Sequence, residues 1–236
     1  MRSAGRATMT AMIDAAERRA ELERRAAEWR GCQKCALAAG RTQVVVGAGN
    51  PDAGLMFVGE APGFHEDRQG IPFVGQAGKL LESLLGEIGL SRDRVYIANV
   101  LKCRPPGNRD PQPDEIDACE EHLFAQVELI QPRVICTLGN FATKLLSGQP
   151  HGITRVHGRA QPRRIAGVDL VLYPIFHPAA ALYTPAMMDT LRADFGKLPE
   201  LLTGVPAAPP PPPPVAREAP APVAEPEPEY AQLGLF

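Results

Sequence analysis

The segment Leu55–Leu85 has the sequence LMFVGEAPGFHEDRQGIPFVGQAGKLLESLL and is the most informative part of the chain for its fold. It begins with the apolar run Leu55–Val58, typical of a short buried strand, and it ends with Gly75–Leu85, which predicts the start of a helix. The loop between them is rich in glycine and proline and carries three carboxylates, a histidine and aromatic residues. In open α/β sheets the ligand crevice forms at the carboxyl end of such a strand. The sequence therefore predicts a functional site in this loop.

Further strand and helix patterns alternate through residues 31–204. The predicted strands are Val44–Val46, Leu55–Val58, Val95–Val100, Arg133–Leu138 and Leu170–Phe176. The predicted helices are Gly75–Ile88, Pro113–Ile130, Asn140–Leu146 and Ala186–Leu202. Strands separated by helices imply right-handed crossovers, so we expect an α/β fold of three αβα layers with a central, mostly parallel sheet.

Length and charge set the broad class. The 236 residues allow one well-buried domain with appendages, and the formal net charge of −2 gives no sign of a strongly basic nucleic-acid-binding surface. Residues 205–236 contain one Arg and four Glu, so the rest of the chain carries about +1. No apolar run reaches about 18 residues, and the N-terminus lacks the apolar centre of a signal peptide. We therefore expect a soluble, cytoplasmic protein.

Both ends of the chain differ from the predicted domain at residues 31–204. Within residues 1–30, Met9–Arg30 is rich in Ala, Glu and Arg and predicts an amphipathic helix. Residues 205–236 contain six consecutive prolines, Pro209–Pro214, and predict a disordered, extended linker. The last five residues turn apolar, with the sequence QLGLF.

Four of the five cysteines can meet only through the fold. Cys32 and Cys35 form a Cys-x-x-Cys pair, Cys103 follows a predicted strand, and Cys119 lies in a predicted helix. This set suits a Cys₄ zinc site or an iron–sulfur cluster, and unliganded thiols are a third interpretation. Cys136 lies in a buried-strand pattern and is expected to be a small core residue.

Three motifs, in order along the chain, resemble those of the family 4 uracil-DNA glycosylases, the iron–sulfur type. The first lies in Gly59–Gly75 and contains GEAPG, ED and PFVG. The second is Asn99–Arg109, with the sequence NVLKCRPPGNR, and the third is His177–Leu182, with the sequence HPAAAL. The fifteen residues between Cys103 and Cys119 are also similar to the family's [4Fe–4S] spacing.

This resemblance covers about residues 31–202 and implies a DNA repair enzyme. Such an enzyme hydrolyses the N-glycosidic bond of uracil in DNA, releases uracil and leaves an abasic site. The implied substrate-binding residues are Glu60, Ala61, Phe73, Asn99 and His177, and the implied catalytic residues are Glu60, Glu66 and His177. The implied ligands of a [4Fe–4S] cluster are Cys32, Cys35, Cys103 and Cys119. An acidic residue at Glu60 favours family 4 over the related family 5.

The residue types suit this reaction. Phe73 can stack on an extruded base, and the amide of Asn99 can accept from uracil N3–H while donating to O4. His177 can donate to uracil O2 as negative charge builds on the leaving base. A carboxylate can stabilise a cationic sugar or orient water, and we expect Glu60 near the base and Glu66 near the water.

Contacts with DNA need cations and an apolar wedge. Arg104, Arg109, Arg155 and Arg159 lie on predicted loops and are candidates for phosphate contacts. Leu182 or Tyr183 could wedge into the duplex and hold the extruded state. We expect a monomer that acts on double- or single-stranded DNA and is associated with the bacterial nucleoid.

The first motif departs from the resemblance at two positions. Phe64 and His65 stand where the family often has acidic residues. Asp67 is expected to brace the loop. Related enzymes that bond covalently to DNA carry a basic, His-containing insert, and none occurs between Asn99 and Cys119, so we expect turnover.

The C-terminal residues resemble the short motif by which bacterial proteins bind the DNA polymerase sliding clamp. The implied partner-binding residues are Gln232, Leu233, Leu235 and Phe236. About 25 proline-rich residues at about 3.1 Å each would let this motif reach tens of ångströms from the domain.

Two other functions stay open at this point. One is a glycosylase of broader range that also removes hypoxanthine or xanthine. The other is an iron–sulfur redox or sensor protein without hydrolase activity.

Overall fold

The computed structural model describes residues 14–204, and a six-stranded sheet forms the centre of this part of the chain. The strand order is β1-β3-β2-β4-β6-β5. The strands are β1 Ala48–Gly49, β2 Leu55–Gly59, β3 Tyr96–Asn99, β4 Val134–Leu138, β5 Gln161–Ile165 and β6 Val168–Ile175. Strands β3, β2, β4 and β6 are parallel, whereas the edge strands β1 and β5 are antiparallel to their neighbours. The prediction of a mostly parallel sheet is confirmed.

Helices cover both faces of this sheet. They are α1 Ala15–Trp29, α2 Phe64–Gln69, α3 Gln76–Glu87, α4 Pro113–Ile130, α5 Asn140–Ser147, α6 Ile153–Val156, α7 Pro178–Tyr183, α8 Met187–Phe195 and α9 Leu198–Thr203. The strand β2 is buried on both sides because its side chains alternate between two cores. Met56 and Val58 pack in the core that contains α4, and Leu55 and Phe57 pack in the core that contains α3 and α8.

The predicted strand Val44–Val46 is wrong, although all three side chains are buried. The N–H of Val45 donates to the carbonyl of Lys102 at 2.8 Å, and the carbonyl of Val46 accepts from the side chain of Gln126 at 2.8 Å. These bonds go to Lys102 and Gln126 and not to a neighbouring strand. The sheet edge is instead formed by β1, two residues farther along.

Other differences concern short elements. The predicted helix Ala186–Leu202 is two helices, α8 and α9, that meet at Gly196 and Lys197. Pro199 stands in the first turn of α9, where its missing N–H is tolerated. The strand β5 contains Pro162 and was not predicted, since it is polar and pairs on one side only.

The N-terminal helix begins at Ala15, where Asp14 and Glu17 form a capping box. Leu22 of this helix is buried in the core that contains α4. Residues 1–13, where the helix was also predicted, and residues 205–236, with the proline run and the motif ending at Phe236, lie outside the described residues. Among the helices of residues 14–204, none is both long and apolar enough to span a membrane.

Candidate functional site at the carboxyl ends of the parallel strands

A pocket of about 330 Å³ opens where β2 and β3 end and α7 begins. This is the edge of a parallel sheet at which ligands bind in open α/β folds. The pocket brings together residues from three segments that are far apart in sequence. The lining includes all the predicted substrate-binding and catalytic residues, which are Glu60, Ala61, Glu66, Phe73, Asn99 and His177.

The floor of the pocket lies where two strands end side by side. Gly59 pairs with Asn99 in the parallel ladder of β2 and β3. A Cβ atom on Gly59 would lie 2.7 Å from Cζ of Phe73 and closer still to Oδ1 of Asn99. Only glycine leaves room for both side chains, so the chain needs Gly59 for close approach.

Phe73 adopts a backbone conformation that bulky residues rarely take. Its φ is 55°, in the left-handed region. Oε1 of Glu66 accepts from the N–H groups of Val74 and Gly75, each at 2.9 Å. The guanidinium of Arg92 donates to the carbonyls of Pro72 and Phe73 at 2.6 and 2.7 Å. Two charged side chains therefore hold the turn that presents Phe73.

Asn99 has a buried side chain with an open acceptor. It is 2% exposed, and its Oδ1 has no hydrogen-bond partner among the described residues. A buried acceptor without a partner destabilises a protein by about 1–3 kcal/mol, so such atoms usually meet a ligand or water. The backbone of Asn99 is held separately, because its carbonyl accepts from Nζ of Lys102 at 2.8 Å.

His177 is neutral and its protonated nitrogen is defined by its contacts. Nδ1 accepts from the N–H of Ala179 at 3.1 Å, as the N-cap of α7. Desolvation lowers the pKa of His177 to about 4, against a smaller opposing effect of Glu66. At neutral pH the single ring proton must therefore lie on Nε2, which leaves His177 a hydrogen-bond donor. Its ring stacks on Phe73 with centroids 5.6 Å apart.

Glu60 and Glu66 differ in their surroundings. Burial, and then the charge of Asp110, raises the pKa of Glu60 above its usual value. Glu66 has one oxygen bonded to the turn at Val74 and Gly75, as described above. Asp67 is buried and accepts from the N–H of Thr42 at 2.9 Å, which confirms that it braces the loop.

Three of the four predicted cluster cysteines lie in or against one core of the sheet. Cys103 and Cys119 are buried and pack in one core, and Cys35 packs against it. Burial is the largest effect on both buried thiols: it raises the pKa of Cys119 to about 11, and that of Cys103 above its usual value. The charges of Cys35 and Cys32 are smaller effects that also raise the pKa of Cys103. Within residues 14–204, no three His, Cys, Asp or Glu side chains converge on a site for a single metal ion.

Hydrogen-bond donors lie near two of these thiols. The N–H of Lys102 lies 3.2 Å from Sγ of Cys119, and the guanidinium of Arg41 lies 3.6 Å from Sγ of Cys103. The ammonium of Lys102 is 1% exposed, and its hydrogen bonds go to neutral acceptors, the carbonyl of Asn99 and Oε1 of Gln126. A buried cation without an anion is unfavourable. An anionic group bound by the neighbouring thiolates would compensate it, so the residues fit an iron–sulfur cluster.

The candidate DNA contacts differ in exposure and in their partners. Arg155 and Arg159 are exposed, and Leu182 and Tyr183 on α7 are 44% and 87% exposed. Arg109 lines the pocket but already donates to the buried carboxylate of Glu115 at 2.9 Å, and its charge is largely compensated.

Sequence reasoning missed two supports of the site. Arg92 lies nineteen residues after Phe73, and Gln126 lies in the middle of α4. Gln126 is buried and joins Lys102 to the hydroxyl of Tyr96, at 2.6 and 3.1 Å. No local pattern marks an arginine or a glutamine whose partner is distant in the chain.

Comparisons with known proteins identify the family of this chain. Residues 46–198 match the model of the uracil DNA glycosylase superfamily. The type-4 uracil-DNA glycosylase of Sulfurisphaera tokodaii is 48% identical over 175 residues, which cover 72% of this chain and 80% of the relative. The type-4 enzyme of Thermotoga maritima is 49% identical over 152 residues, covering 64% of this chain and 78% of the relative.

A type-5 relative is less similar. The type-5 uracil-DNA glycosylase of Thermus thermophilus is 36% identical over 117 residues, which cover 43% of this chain and 53% of that protein. The family model spans most of the sheet and the whole pocket, and the similarity is greater on the type-4 side. The chain belongs to the uracil-DNA glycosylase superfamily, and within it to the type-4 enzymes.

Proposed function

We propose that this protein is a monofunctional uracil-DNA glycosylase of base excision repair. It hydrolyses the N-glycosidic bond of uracil in DNA, releases the free base and leaves an abasic site. The observation that carries the proposal is the buried Oδ1 of Asn99, which has no partner among the described residues, at the floor of a pocket large enough to admit a base. It lies beside an aromatic ring and a neutral histidine.

Recognition of uracil uses the amide of Asn99 and the ring of Phe73. Oδ1 accepts from N3–H and Nδ2 donates to O4, whereas cytosine offers an acceptor at N3 and a donor at C4. The mismatch leaves buried polar atoms unpaired, which excludes cytosine more strongly than shape does. Phe73 stacks on the extruded base, and Ala61 leaves space at the pocket wall.

His177 stabilises the leaving base. As the glycosidic bond breaks, negative charge builds on uracil O2, and Nε2–H of His177 is the donor that its tautomer leaves free. Because the imidazole is already neutral, it acts by hydrogen bonding and does not need to transfer a proton.

The two glutamates act on the sugar and the water. We assign Glu60 to the side of the base, where its carboxylate stabilises positive charge on the sugar. We assign Glu66 to the attacking water through Oε2, since Oε1 is bonded to the Phe73 turn.

A [4Fe–4S] cluster bound by Cys32, Cys35, Cys103 and Cys119 would join three segments of the chain. Each cysteine of such a cluster binds a different iron, so the sulfur atoms need not converge on one point, unlike those of a Cys₄ zinc site. When bound, the cluster supplies structure rather than electrons to a hydrolysis. Lys102 connects one of these cysteines to the base-reading strand end, because its N–H donates to Sγ of Cys119 and its Nζ donates to the carbonyl of Asn99, so the cluster would help to fix Asn99.

DNA is held by cations around the pocket and by a wedge on α7. We assign phosphate contacts to Arg104, Arg155 and, less favourably because of Glu115, Arg109. Leu182 is exposed and follows the His177 motif directly, which supports a role as the wedge.

The proposal also assigns roles to residues outside 14–204. The catalytic domain at residues 31–204 follows a helix within residues 1–30, and residues 205–236 tether a motif that binds the bacterial sliding clamp. The implied anchors are Gln232, Leu233, Leu235 and Phe236. The enzyme acts as a monomer near the nucleoid. A clamp pull-down with protein ending at Thr203 tests the tether, since undiminished binding would exclude it.

Incubation with uracil-containing oligonucleotides, followed by alkaline strand cleavage, tests the reaction. Abasic sites should form with uracil and should be lost in Asn99→Ala, with native folding retained. Parallel substrates containing hypoxanthine or xanthine define the base range.

Iron and acid-labile sulfide content separates a cluster from zinc, and an iron protein without base release would support the redox alternative.

A further inference from the structure

Phe64 is an exposed aromatic residue at the rim of the pocket. Its side chain is 46% exposed, although it follows Gly63, which lines the pocket. Two guanidinium groups lie over its ring, with Cζ of Arg68 5.5 Å and Cζ of Arg104 5.2 Å from the ring centroid. Cations at these distances are attracted to an aromatic ring. Two positive charges therefore lie close to the ring of Phe64.

These three residues come from both walls of the pocket. Phe64 and Arg68 lie one turn apart on α2, so they share a helix face. Arg104 lies in the segment after β3, next to Pro105, which lines the pocket. The cluster therefore bridges the mouth from the first motif to the second.

The two arginines have no anion to balance them. In the described part of the chain, neither Arg68 nor Arg104 forms a salt bridge. Arg104 donates to Oδ1 of Asn108 through Nε at 2.7 Å, and its terminal amino groups remain available. Like charges near one ring repel each other, so a ligand with negative charge would stabilise the arrangement.

We propose that Phe64, Arg68 and Arg104 form a phosphate clip that binds the DNA backbone beside the extruded nucleotide. This inference rests on the proposed function, because a base drawn into the pocket brings its neighbouring phosphates across this rim. Guanidinium groups bind phosphate oxygens through paired hydrogen bonds. The ring of Phe64 keeps both guanidinium planes oriented, so it is a positioning residue for the two arginines.

Salt-dependent binding tests the clip. The probe is a duplex with a stable abasic-site analogue, measured by fluorescence anisotropy between about 50 and 200 mM salt. Each phosphate contact adds about 0.9 to the slope of log K against log salt. Arg68→Ala and Arg104→Ala should each reduce the slope by about 0.9 and lower the affinity about eightfold at 0.1 M salt. Arg164→Ala, at an exposed arginine of β5, is the matched control and should leave both unchanged.

Phe64→Leu separates the clip from stacking on a base. The clip predicts that this change weakens binding, and that its effect disappears in the Arg68→Ala/Arg104→Ala background. An unchanged salt slope in both Arg68→Ala and Arg104→Ala would overturn the proposal. An equal loss of slope and affinity in Arg164→Ala would also overturn it. A Phe64→Leu effect that persists without the arginines would assign the ring to base stacking and would also overturn the clip.

The binding assay is independent of the chemistry. If wild-type protein releases no uracil, the proposed function fails even when the clip slopes are as expected. If wild-type protein releases uracil and the slopes do not change, the clip alone fails.

Discussion

Within residues 14–204, hydrogen bonds to the carboxylate of Glu66 reach only Oε1, so its structural and catalytic roles can be separated. Glu66→Gln keeps an acceptor for the turn at Val74 and Gly75 but removes the charge. We expect this change to lower the single-turnover rate of uracil release by about a hundredfold, the usual contribution of a positioned general base. Glu66→Ala should lower the rate further, because the Phe73 turn loses its support. A wild-type rate in Glu66→Gln would leave Glu66 with the structural role alone.

The pH dependence of the reaction should follow Glu60. Its carboxylate form stabilises the sugar cation, so the rate rises with pH through a pKa that burial and Asp110 raise above the usual value. Asp110→Asn removes one of these causes and should shift the acid limb of the single-turnover profile to lower pH. Asp114→Asn is the control. An acid limb that moves in neither variant, or equally in both, would contradict this account.

The motifs predicted these side chains as site residues, and the structure brings them together in one pocket. Their environments were not predictable. The tautomer of His177 depends on the N–H of Ala179, and the open acceptor of Asn99 depends on which neighbours reach its side chain. Both are products of packing between distant segments.

The turn that precedes helix α3 is held by Arg92, a residue that lies after this helix. Arg92 donates to the carbonyls of Pro72 and Phe73, where the backbone of Phe73 is strained. Arg92→Ala should lower kcat/KM for uracil release about tenfold, equivalent to about 1.4 kcal/mol. Arg92→Lys should be intermediate, since one ammonium can keep one of the two bonds. Arg94→Ala, at an exposed arginine of the same turn, is the control, and an equal effect there would refute the role of Arg92.

Long amphipathic or apolar elements were predicted closely, and short ones were not. The helix α4 has the predicted bounds, Pro113–Ile130, because a proline start and a long periodic pattern mark it. The helices α2 and α7 have six residues each, too few for periodicity to show. Val44–Val46 has strand composition but bonds to Lys102 and Gln126 instead of to a neighbouring strand.

Substitution of single cysteines tests whether the proposed cluster joins the three segments of the molecule that carry Cys32 and Cys35, Cys103, and Cys119. Cys119→Ala should abolish the iron content and lower the Tm, because a ligand of the proposed cluster is lost. Cys136→Ala should keep the iron and lower the stability by about 1 kcal/mol, a Tm change of about 2–4 °C, because Cys136 is a buried core residue of β4. Iron analysis and thermal denaturation check both. A wild-type iron content in Cys119→Ala would show that Cys119 is not a ligand of the cluster.

The overall architecture followed from the alternation of strand and helix patterns, which the order of the parallel strands confirms. That Cys32, Cys35, Cys103 and Cys119 bind one cluster was predicted only through the resemblance, and it stays a prediction. Spacing in the chain does not fix positions across a sheet.

Gly59 has a practical consequence for attempts to change which base is removed. Any side chain there meets both Phe73 and Asn99, so it closes the pocket instead of reshaping it. A randomised library at this codon should return glycine alone among active clones. Diversity is better placed at Ala61 and Ala77, whose side chains line the wall and leave the floor intact.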